Sequence, residues 1–422
     1  MRALHVFPLF SADRTNGASH HTFVLSRHLQ SLGVEVEIFS TTTSAIVPHA
    51  AFGLKWPDRL PREETAAGLR VRRFPVTFSP SVKLGRAFSK EILERWETEA
   101  LPAGAAFDEW LRAANSRPRR YDWMSAIGRG PTSLGLLAAI ARESKNIDVI
   151  LVGYAPFSMV GQVTWLARAL RKPVVVLPLF HANDPYHHFR SVYGSFERAD
   201  RVLVETPYAV DLFRRAFPKS TPVEIGVGVE PEDFRDEAVS GERFRSLHGL
   251  GDKPIVLMVG RKEPAKRWDL SVQAIDRVKK AGATLVLVGR EVDGLPIESS
   301  RVLHLTDVDD QALRDAYDAC NVLVHPSENE SFGLVLLEAW MRQKPVIGSR
   351  VCGAVASVIS EDVDGLLCDG ADDLAAKIDR LLDAPELAAR FGRAGREKAR
   401  SRYPWAHIAG RVKATYQELL ER

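Results

Sequence analysis

The chain has 422 residues, of which 45% are hydrophobic and 26% are charged, and its formal net charge is +3. This composition is typical of a folded globular protein and excludes a disordered chain, a collagen-like chain and a small disulfide-rich module. The net charge is too small to indicate nucleic acid as a partner, and no apolar stretch approaches the ~18–20 residues that cross a bilayer. The length predicts two or three domains.

Short β-branched runs alternate with helical patterns in the first half of the chain. An amphipathic helix is predicted at Gly17–Leu32, where apolar side chains recur on one face. Residues 53–68 and 76–122 do not fit the alternation and are predicted to be insertions. Strands are predicted at Ala3–Leu9, Val34–Phe39, Asp148–Val152, Val174–Phe180 and Arg201–Glu205.

The second half repeats this alternation more regularly. Strands are predicted at Ile255–Val259, Thr284–Val288, Val302–Leu305, Asn321–His325 and Pro345–Gly348. Strands that alternate with helices form parallel sheets with helices on both faces, so two such series predict an α/β protein of two doubly wound, Rossmann-like domains. We place the N-terminal domain at residues 1–235 with insertions, the C-terminal domain at 236–402, and a final helix at 403–422.

The cysteine pattern indicates the compartment. Cys320, Cys352 and Cys368 lack the CxxC spacing of a zinc site or a redox motif. Few and scattered cysteines fit a reducing environment, and the first ten residues lack the pattern of a secretory signal. We therefore expect a cytoplasmic protein.

The most informative stretch is VLVHPSENESFGLVLLEAW at residues 322–340, a predicted buried strand, a polar loop and a very apolar helix. Glu330 lies at the carboxyl end of the strand, where open parallel sheets bind ligands. Glu338 is expected to be buried in the helix, where a carboxylate needs strong hydrogen bonds. The free amides at the helix start, from Phe332 to Leu334, suit an anion or sugar hydroxyls.

Two interpretations of these glutamates remain open from the spacing alone. The two carboxylates hold a polyhydroxy ligand, or one caps the helix and the other is buried in an ion pair with an arginine. A second feature favours the ligand. Arg261 and Lys266 follow Gly260 at the end of a predicted strand, and such a turn places cations where they can clamp a diphosphate.

Two residues in the first half are weaker candidates. Gly17 lies in the small-residue turn before the first helix, which contacts a phosphate or an acceptor, or is simply a flexible turn. His181 follows the predicted strand Val174–Phe180, where a histidine is catalytic or has a structural role.

Several other site classes lack their signatures. No GxGxxG follows a strand, and neither HExxH nor GxSxG occurs. The P-loop spacing at residues 130–135 has Leu136 where a lysine is required. Two DxD-like tripeptides, at 307–309 and 362–364, lack the expected setting, so no metal site is predicted.

Basic residues are concentrated in one part of the chain. Residues 51–200 contain 22 Lys and Arg against 15 Asp and Glu, an excess of +7. Such a surface is either a solvated face or a peripheral contact with an anionic membrane. The candidate cations are Arg70, Arg72, Arg73, Lys83, Arg86 and Lys90 around Phe88, with Arg117, Arg119 and Arg120.

Taken together, these motifs resemble the retaining GT-B glycosyltransferases of family 4, the glycosyl transferases group 1. Glu330 and Glu338 match the family's E-x7-E signature, and Gly260–Lys266 matches its G-R-x4-K motif. Further matching segments follow in family order. They are Phe196–Asp200, Pro326–Ser327, Lys344–Ile347, Asp364–Leu367 and Tyr403–Trp405. The chain departs from the family at Cys352–Ala354, where a double glycine is usual.

The resemblance implies a GT-B fold, in which two Rossmann-like domains face a cleft and the final helix crosses back to the N-terminal domain. It assigns Arg261 and Lys266 to the donor diphosphate, and Glu338 to the ribose hydroxyls. Glu330, with the amides of Phe332 and Gly333, would hold the transferred sugar. In the N-terminal domain, the implied roles are His181 near the reacting centre and Gly17 near a phosphate or the acceptor.

The implied reaction is hexosyl transfer with retention from a nucleoside-diphosphate sugar, with no metal or other cofactor. A glycan or lipid-linked acceptor, in the synthesis of a polysaccharide, a lipopolysaccharide or a glycolipid, is the expected partner. Another GT-B enzyme such as an epimerase, or an inactive nucleotide-sugar-binding protein, is the alternative.

Overall fold

The computed structural model describes residues 1–11, 17–43, 60–77, 130–182, 184, 187 and 190–422. The chain forms two compact units. Unit 1 comprises Met1–Gly226 with Trp405–Arg422, and unit 2 comprises Val227–Pro404. The predicted insertion at 76–122, apart from its first two residues, and the basic residues between 83 and 120 lie outside the described part.

Unit 1 contains an eight-stranded sheet in the order β3-β4-β2-β1-β5-β6-β7-β8. Every pairing is parallel except that between β3 and β4. The central strands are short and fully buried, as β-branched runs covered on both faces are. The strands are β1 Arg2–Val6, β2 Glu35–Thr41, β3 Glu63–Ala66, β4 Leu69–Phe74, β5 Val149–Val152, β6 Val174–Val176, β7 Arg201–Val204 and β8 Pro222–Glu224.

Two of the helices in unit 1, those that start at Leu134 and Pro207, begin where the sequence supplies a cap. For example, the Thr206 hydroxyl accepts a hydrogen bond from the Ala209 amide, and Pro207 occupies the first helical turn. The predicted strand at 174–180 ends early, because Pro178 has no amide to donate and Leu179 adopts a φ of 46°. The helices are α1 Gly17–Ser31, α2 Leu134–Glu143, α3 Ser158–Ala169, α4 Arg190–Arg198 and α5 Pro207–Ala216.

Unit 2 contains a six-stranded, fully parallel sheet in the order β11-β10-β9-β12-β13-β14. Its strands are β9 Ile255–Val259, β10 Thr284–Val288, β11 Val302–Leu305, β12 Val322–His325, β13 Val346–Ser349 and β14 Gly365–Cys368. Its helices are α6 Gly241–Leu247, α7 Trp268–Arg277, α8 Asp310–Ala319, α9 Leu334–Met341, α10 Gly353–Val358, α11 Gly370–Asp383 and α12 Pro385–Arg402. Two Rossmann-like α/β units were predicted, and this fold class is confirmed.

Unit 2 starts nine residues earlier than the boundary predicted after residue 235. The reason is local pairing. The Val229 amide donates to the Tyr403 carbonyl at 2.8 Å, and the Arg342 guanidinium donates to the Phe234 carbonyl at 2.9 Å. These hydrogen bonds join residues 227–235 to the rest of unit 2.

The final helix, α13 Trp405–Leu420, belongs to unit 1 and packs against α1. A buried hydrogen-bond chain joins it to β1. The Ser26 hydroxyl donates to the Thr22 carbonyl at 2.7 Å, so it must accept from Nδ1 of His5, at 2.8 Å. Nε2 of His5 then accepts from the Tyr416 hydroxyl at 3.1 Å. Burial lowers the pKa of His5 to about 3, so the ring is neutral.

The buried hydrogen bonds of His5 predict how the free energy of unfolding depends on pH. The pKa of His5 is lower in the folded state than the usual 6.5, so its stabilising contribution is complete above pH 6.5 and decreases as the pH falls towards 3. We expect His5→Leu to lower the Tm at pH 7 and to flatten the decrease between pH 6.5 and 4.5. Thermal denaturation monitored by circular dichroism measures both, with His248→Leu in unit 2 as control. Equal slopes in all three proteins would contradict this role of His5.

Candidate functional site

The carboxyl ends of β9 and β12 form the switch point of the sheet in unit 2. These strands are neighbours, but the chain leaves β9 towards β10 and leaves β12 towards β13, on opposite sides. Two loops therefore diverge there and leave a crevice, the usual ligand site of such sheets. The loops are joined, because the Ala265 carbonyl accepts from the Ser327 hydroxyl and the Glu328 amide, each at 3.2 Å.

Lys266 and Glu330 meet across this crevice. The Nζ atom of Lys266 donates to Oε1 of Glu330 at 2.5 Å, and Nε2 of His325 lies 3.1 Å from the same oxygen. The side chains of Lys266 and Glu330 are 17% and 11% exposed. Burial raises the pKa of Glu330, but Lys266 and His325 outweigh it and hold that pKa well below its ordinary value. The site therefore contains an ionised carboxylate and a cation in one contact.

The two cations of the predicted clamp differ in their surroundings. The Arg261 guanidinium is 56% exposed and is held by Glu263 at 2.9 Å. Lys266 is instead largely enclosed by the neighbouring loop. Both follow Gly260, where the predicted glycine turn lies.

Lys262, between them, has a structural role that the sequence did not reveal. Its side chain is buried, and its Nζ atom bonds to Asp293 Oδ1 and the Leu295 carbonyl, each at 2.5 Å, and lies 4.1 Å from the centre of the Trp268 ring. Burial opposes ionisation of Asp293, but the hydrogen bond from Lys262 lowers the pKa of Asp293 to about 2. This pair anchors the loop that presents Arg261 and Lys266.

The start of α9 faces the same crevice. Gly333 precedes the helix with φ 97° and ψ 62°, a left-handed conformation that glycine adopts without strain. The helix begins at Leu334, two residues later than predicted. Phe332 is buried with its ring 5.4 Å from that of Tyr403. The first amides of a helix have no partner within it, so those at Gly333 and Leu334 can bind an anion or hydroxyls.

Glu338 is partly exposed, and the prediction that it is buried is wrong. Glu338 lies on the side of α9 that does not pack against α12. The packed side is in close contact, because a Cβ added at Gly395 of α12 would lie 2.0 Å from the Trp340 ring of α9. Oε2 of Glu338 accepts from the Tyr317 hydroxyl at 2.5 Å. Burial and the adjacent carboxylate raise the pKa of Tyr317 well above its ordinary value, so the phenol stays a donor.

A third loop approaches Glu330 from the end of β13. Cys352 is buried at the cap of α10, in the place where the sequence departs from the family pattern. Burial and the nearby charge of Glu330 raise the pKa of Cys352 to about 11, so the thiol is neutral. The described neighbours of Glu330 thus comprise one cation, one imidazole and one thiol.

Gly17 and His181 belong to unit 1. Gly17 is the first residue of α1, and a Cβ added there would meet no atom within 4 Å. His181 is half-buried, and its amide donates to Nδ1 of His187 at 3.3 Å. Their predicted roles stay predictions.

Other predicted features have structural roles. Asp309 caps α8 by accepting from the Ala312 amide at 2.7 Å, and Asp364 is paired with Lys398 at 2.6 Å. Neither tripeptide is therefore an open acidic pair. Within residues that the structure describes, no group of three histidine, cysteine or acidic side chains could hold a metal ion.

The Arg70–Arg73 part of the predicted basic face is largely neutralised. Arg73 is buried and pairs with Glu64 at 2.7 Å, while Arg72 pairs with Glu143 at 2.9 Å. Only Arg70, at 57% exposure, keeps most of its surface, and it too lies 3.5 Å from Glu37. Glu37 and Glu64 lie on the strands that flank β4, and Glu143 ends α2, so carboxylates from three elements surround these arginines.

Among the described helices, none is long and apolar enough to cross a membrane.

Comparisons with known proteins agree with the motifs. Residues 241–398 match the family model for glycosyl transferases group 1. A protein of Xylanimonas cellulosilytica named D-inositol 3-phosphate glycosyltransferase is 34% identical over 463 residues, which cover 100% of this chain and 97% of that protein.

Solved structures share the fold. The sucrose-phosphate synthase of Thermosynechococcus elongatus superposes with a TM-score of 0.69 and 22% identity over 100% of both chains. The Anabaena protein HepE, in complex with UDP and glucose, superposes with a TM-score of 0.69 and 15% identity over 99% of this chain and 100% of that one.

The Lys266–Glu330 contact predicts a measurable coupling in stability. Lys266→Met leaves the buried Glu330 carboxylate without its main partner and should destabilise the protein by about 1.5–3 kcal/mol. In the double variant with Glu330→Gln, the loss in the free energy of unfolding should be smaller than the sum of the two single losses by at least ~1 kcal/mol. Arg261→Met, at an exposed site, should change stability little. Urea denaturation of the four variants measures this, and additive single effects would show that the contact contributes nothing.

Proposed function

The chain belongs to the glycosyl transferases group 1 family and is a glycosyltransferase, and we propose that it transfers a hexosyl group from a nucleoside-diphosphate sugar with retention. The observation that carries the proposal is the Lys266–Glu330 contact at the switch point of unit 2, beside the free amides of α9. A cation, a carboxylate and helix amides in one crevice match the diphosphate and the hydroxyls of such a donor.

The donor would replace the internal ion pair. Its diphosphate forms ion pairs with Lys266 and with the exposed Arg261. Glu330 is then released from Lys266 and accepts hydrogen bonds from the sugar hydroxyls. The amides of Phe332, Gly333 and Leu334 bind the sugar or the phosphate next to it. The crystal structure of HepE, which shares the fold, is a complex with UDP and glucose, which supports a donor of this class.

Glu338 would bind the ribose. Its Oε2 atom accepts a hydrogen bond from the Tyr317 hydroxyl, which orients a carboxylate whose oxygens are suited to accept from vicinal hydroxyls. Tyr317 acts here as a positioning residue.

The same cations stabilise the leaving group. As the bond between the anomeric carbon and the diphosphate oxygen breaks, negative charge grows on the diphosphate, and Arg261, Lys266 and the helix amides are placed to neutralise it. The acceptor hydroxyl attacks from the face that the diphosphate leaves, and its proton passes to the departing phosphate. We therefore propose transfer with no metal.

The acceptor would bind unit 1, with Gly17 and His181 in contact with it or with the transferred sugar. We propose a glycan or lipid-linked acceptor, in the synthesis of a polysaccharide or a glycolipid at the cytoplasmic face of the membrane. The name of the Xylanimonas relative contains D-inositol 3-phosphate, so phosphorylated cyclitols belong in the test of the acceptor.

A transfer assay tests this proposal. UDP-, GDP- and ADP-sugars are incubated in EDTA with D-inositol 3-phosphate and with lipid-linked saccharides, and NMR of the product gives the anomeric configuration. We expect transfer with retention, and a loss of at least ~100-fold in kcat for Glu330→Gln. Glu328→Gln, the same change two residues away at a side chain paired with Arg267, is the control and should stay active. Inversion, dependence on a divalent cation, or full activity of Glu330→Gln would refute the proposal.

A further inference from the structure

An apolar groove lies on unit 1 between α3 and α4. Its volume is about 640 Å³, within the range of ligand pockets. No residue assigned to the proposed glycosyl transfer lines it. Apolar side chains dominate its walls, among them Leu137, Phe157, Val160, Trp165, Leu166 and Val192.

Trp165 stands at the rim of this groove, with 66% of its surface exposed. Leu134, in the first turn of the neighbouring α2, is 58% exposed. Large apolar side chains next to an open groove indicate an interaction surface, and tryptophan is enriched where proteins meet the headgroup region of a bilayer.

Arg198 places a positive charge in the groove. Its guanidinium packs on its own helix, where a Cβ added at Gly194 would lie 2.8 Å from Nη1. It forms no hydrogen bond or salt bridge with any residue in the described part of the chain. Burial lowers the pKa of Arg198, although Glu197 partly opposes this. Its side chain is exposed at the groove, and its one charged neighbour among the described residues is Glu197, so an anionic ligand can pair with it.

Further cations lie at the same edge of unit 1. Helices α2, α3 and α4 pack on one face of the sheet, and each leads directly into a parallel strand, so all three end at the amino edge. Arg142 and Lys145 end the first, and Arg171 and Lys172 follow the second. These four form no salt bridge with described residues.

Apart from Glu197, which lies beside Arg198, the acidic residues near that edge are already engaged. Glu143 is bound by Arg72, Asp148 by the Arg2 amide, and Asp200 by Arg168 and the Val174 amide. Positive charge therefore predominates at one end of the groove, and apolar walls continue from there towards Phe157 at the carboxyl edge.

We propose that this face of unit 1 binds an anionic membrane phospholipid, with one acyl chain in the α3–α4 groove and the phosphate on Arg198. Trp165 then lies at headgroup level, and the cations that end α2 and α3 contact neighbouring anionic lipids. A phospholipid fits this groove because its charged headgroup would lie at the end that carries the cations, and its acyl chain would lie along the apolar walls. This surface differs from the basic face predicted from the sequence, and it does not depend on which sugar is transferred.

Vesicle co-sedimentation of the full chain tests the charge. Vesicles of phosphatidylcholine, with and without phosphatidylglycerol, are used at low and at physiological salt. The wild type should bind the anionic vesicles more strongly, and more so at low salt. Arg198→Gln should weaken this binding about fivefold, as expected for one cation at an anionic surface. Arg277→Gln, at an exposed arginine of unit 2, should bind as the wild type does.

Variants of Trp165 test whether the groove itself contacts the lipid. Trp165→Gln should weaken binding to both kinds of vesicle, whereas Leu247→Gln, at an equally exposed apolar residue of unit 2, should not. Phosphatidylglycerol with brominated acyl chains should quench a fluorescence component that Trp165→Phe lacks.

Three outcomes would overturn the proposal. They are no binding to anionic vesicles at low salt, equal binding by Arg198→Gln and the wild type, and absence of quenching at Trp165. A wild-type dimer that sedimentation analysis finds dissociated by Trp165→Gln, without vesicle binding, would instead identify the groove as a contact between two copies. Loss of glycosyl transfer is a separate readout, so failure of either proposal leaves the other testable.

Discussion

One ion pair, Lys266 with Glu330, organises the site in unit 2. The two residues are far apart in the sequence, and they meet because β9 and β12 are neighbours whose following loops turn in opposite directions. Neither charge would be stable alone at this degree of burial, so each holds the other in place until a ligand supplies new partners. A site of this kind is preorganised and still able to exchange its internal contact for a substrate.

The surrounding side chains make that polar crevice compatible with a packed domain. Lys262, buried against Trp268 and bound to Asp293, fixes the loop that carries the cations. Gly333 lets the chain turn into α9, and Tyr317 holds the carboxylate of Glu338. Each is a fully satisfied polar contact or a backbone conformation that only a small residue accepts without strain. The chemistry of the site therefore depends on residues that would not touch the substrate.

The sequence predicted what depends on local pattern. Strand runs, helix periodicity and the spacing of Glu330, Glu338 and Lys266 were enough for the fold class and for the crevice. Contacts between distant segments could not be predicted, because the periodicity of the sequence does not show which strands become neighbours. The sequence did not single out Tyr317 or Lys262, Arg73 proved to be buried, and Glu338 proved to be partly exposed. The groove at Arg198 combines three helices, so no single segment indicates it.

The most direct test of the account separates the diphosphate contact from the ribose contact by calorimetric titration. The ligands are pyrophosphate and whichever of UDP, GDP and ADP gives the largest thermal shift. Lys266→Ala should weaken both ligands roughly ten- to a hundredfold, because both have the diphosphate. Glu338→Gln should weaken the nucleotide about tenfold and leave pyrophosphate unchanged. Equal losses for both ligands in Glu338→Gln, or unchanged affinities in Lys266→Ala, would contradict the assignment of the crevice in unit 2 as the donor site.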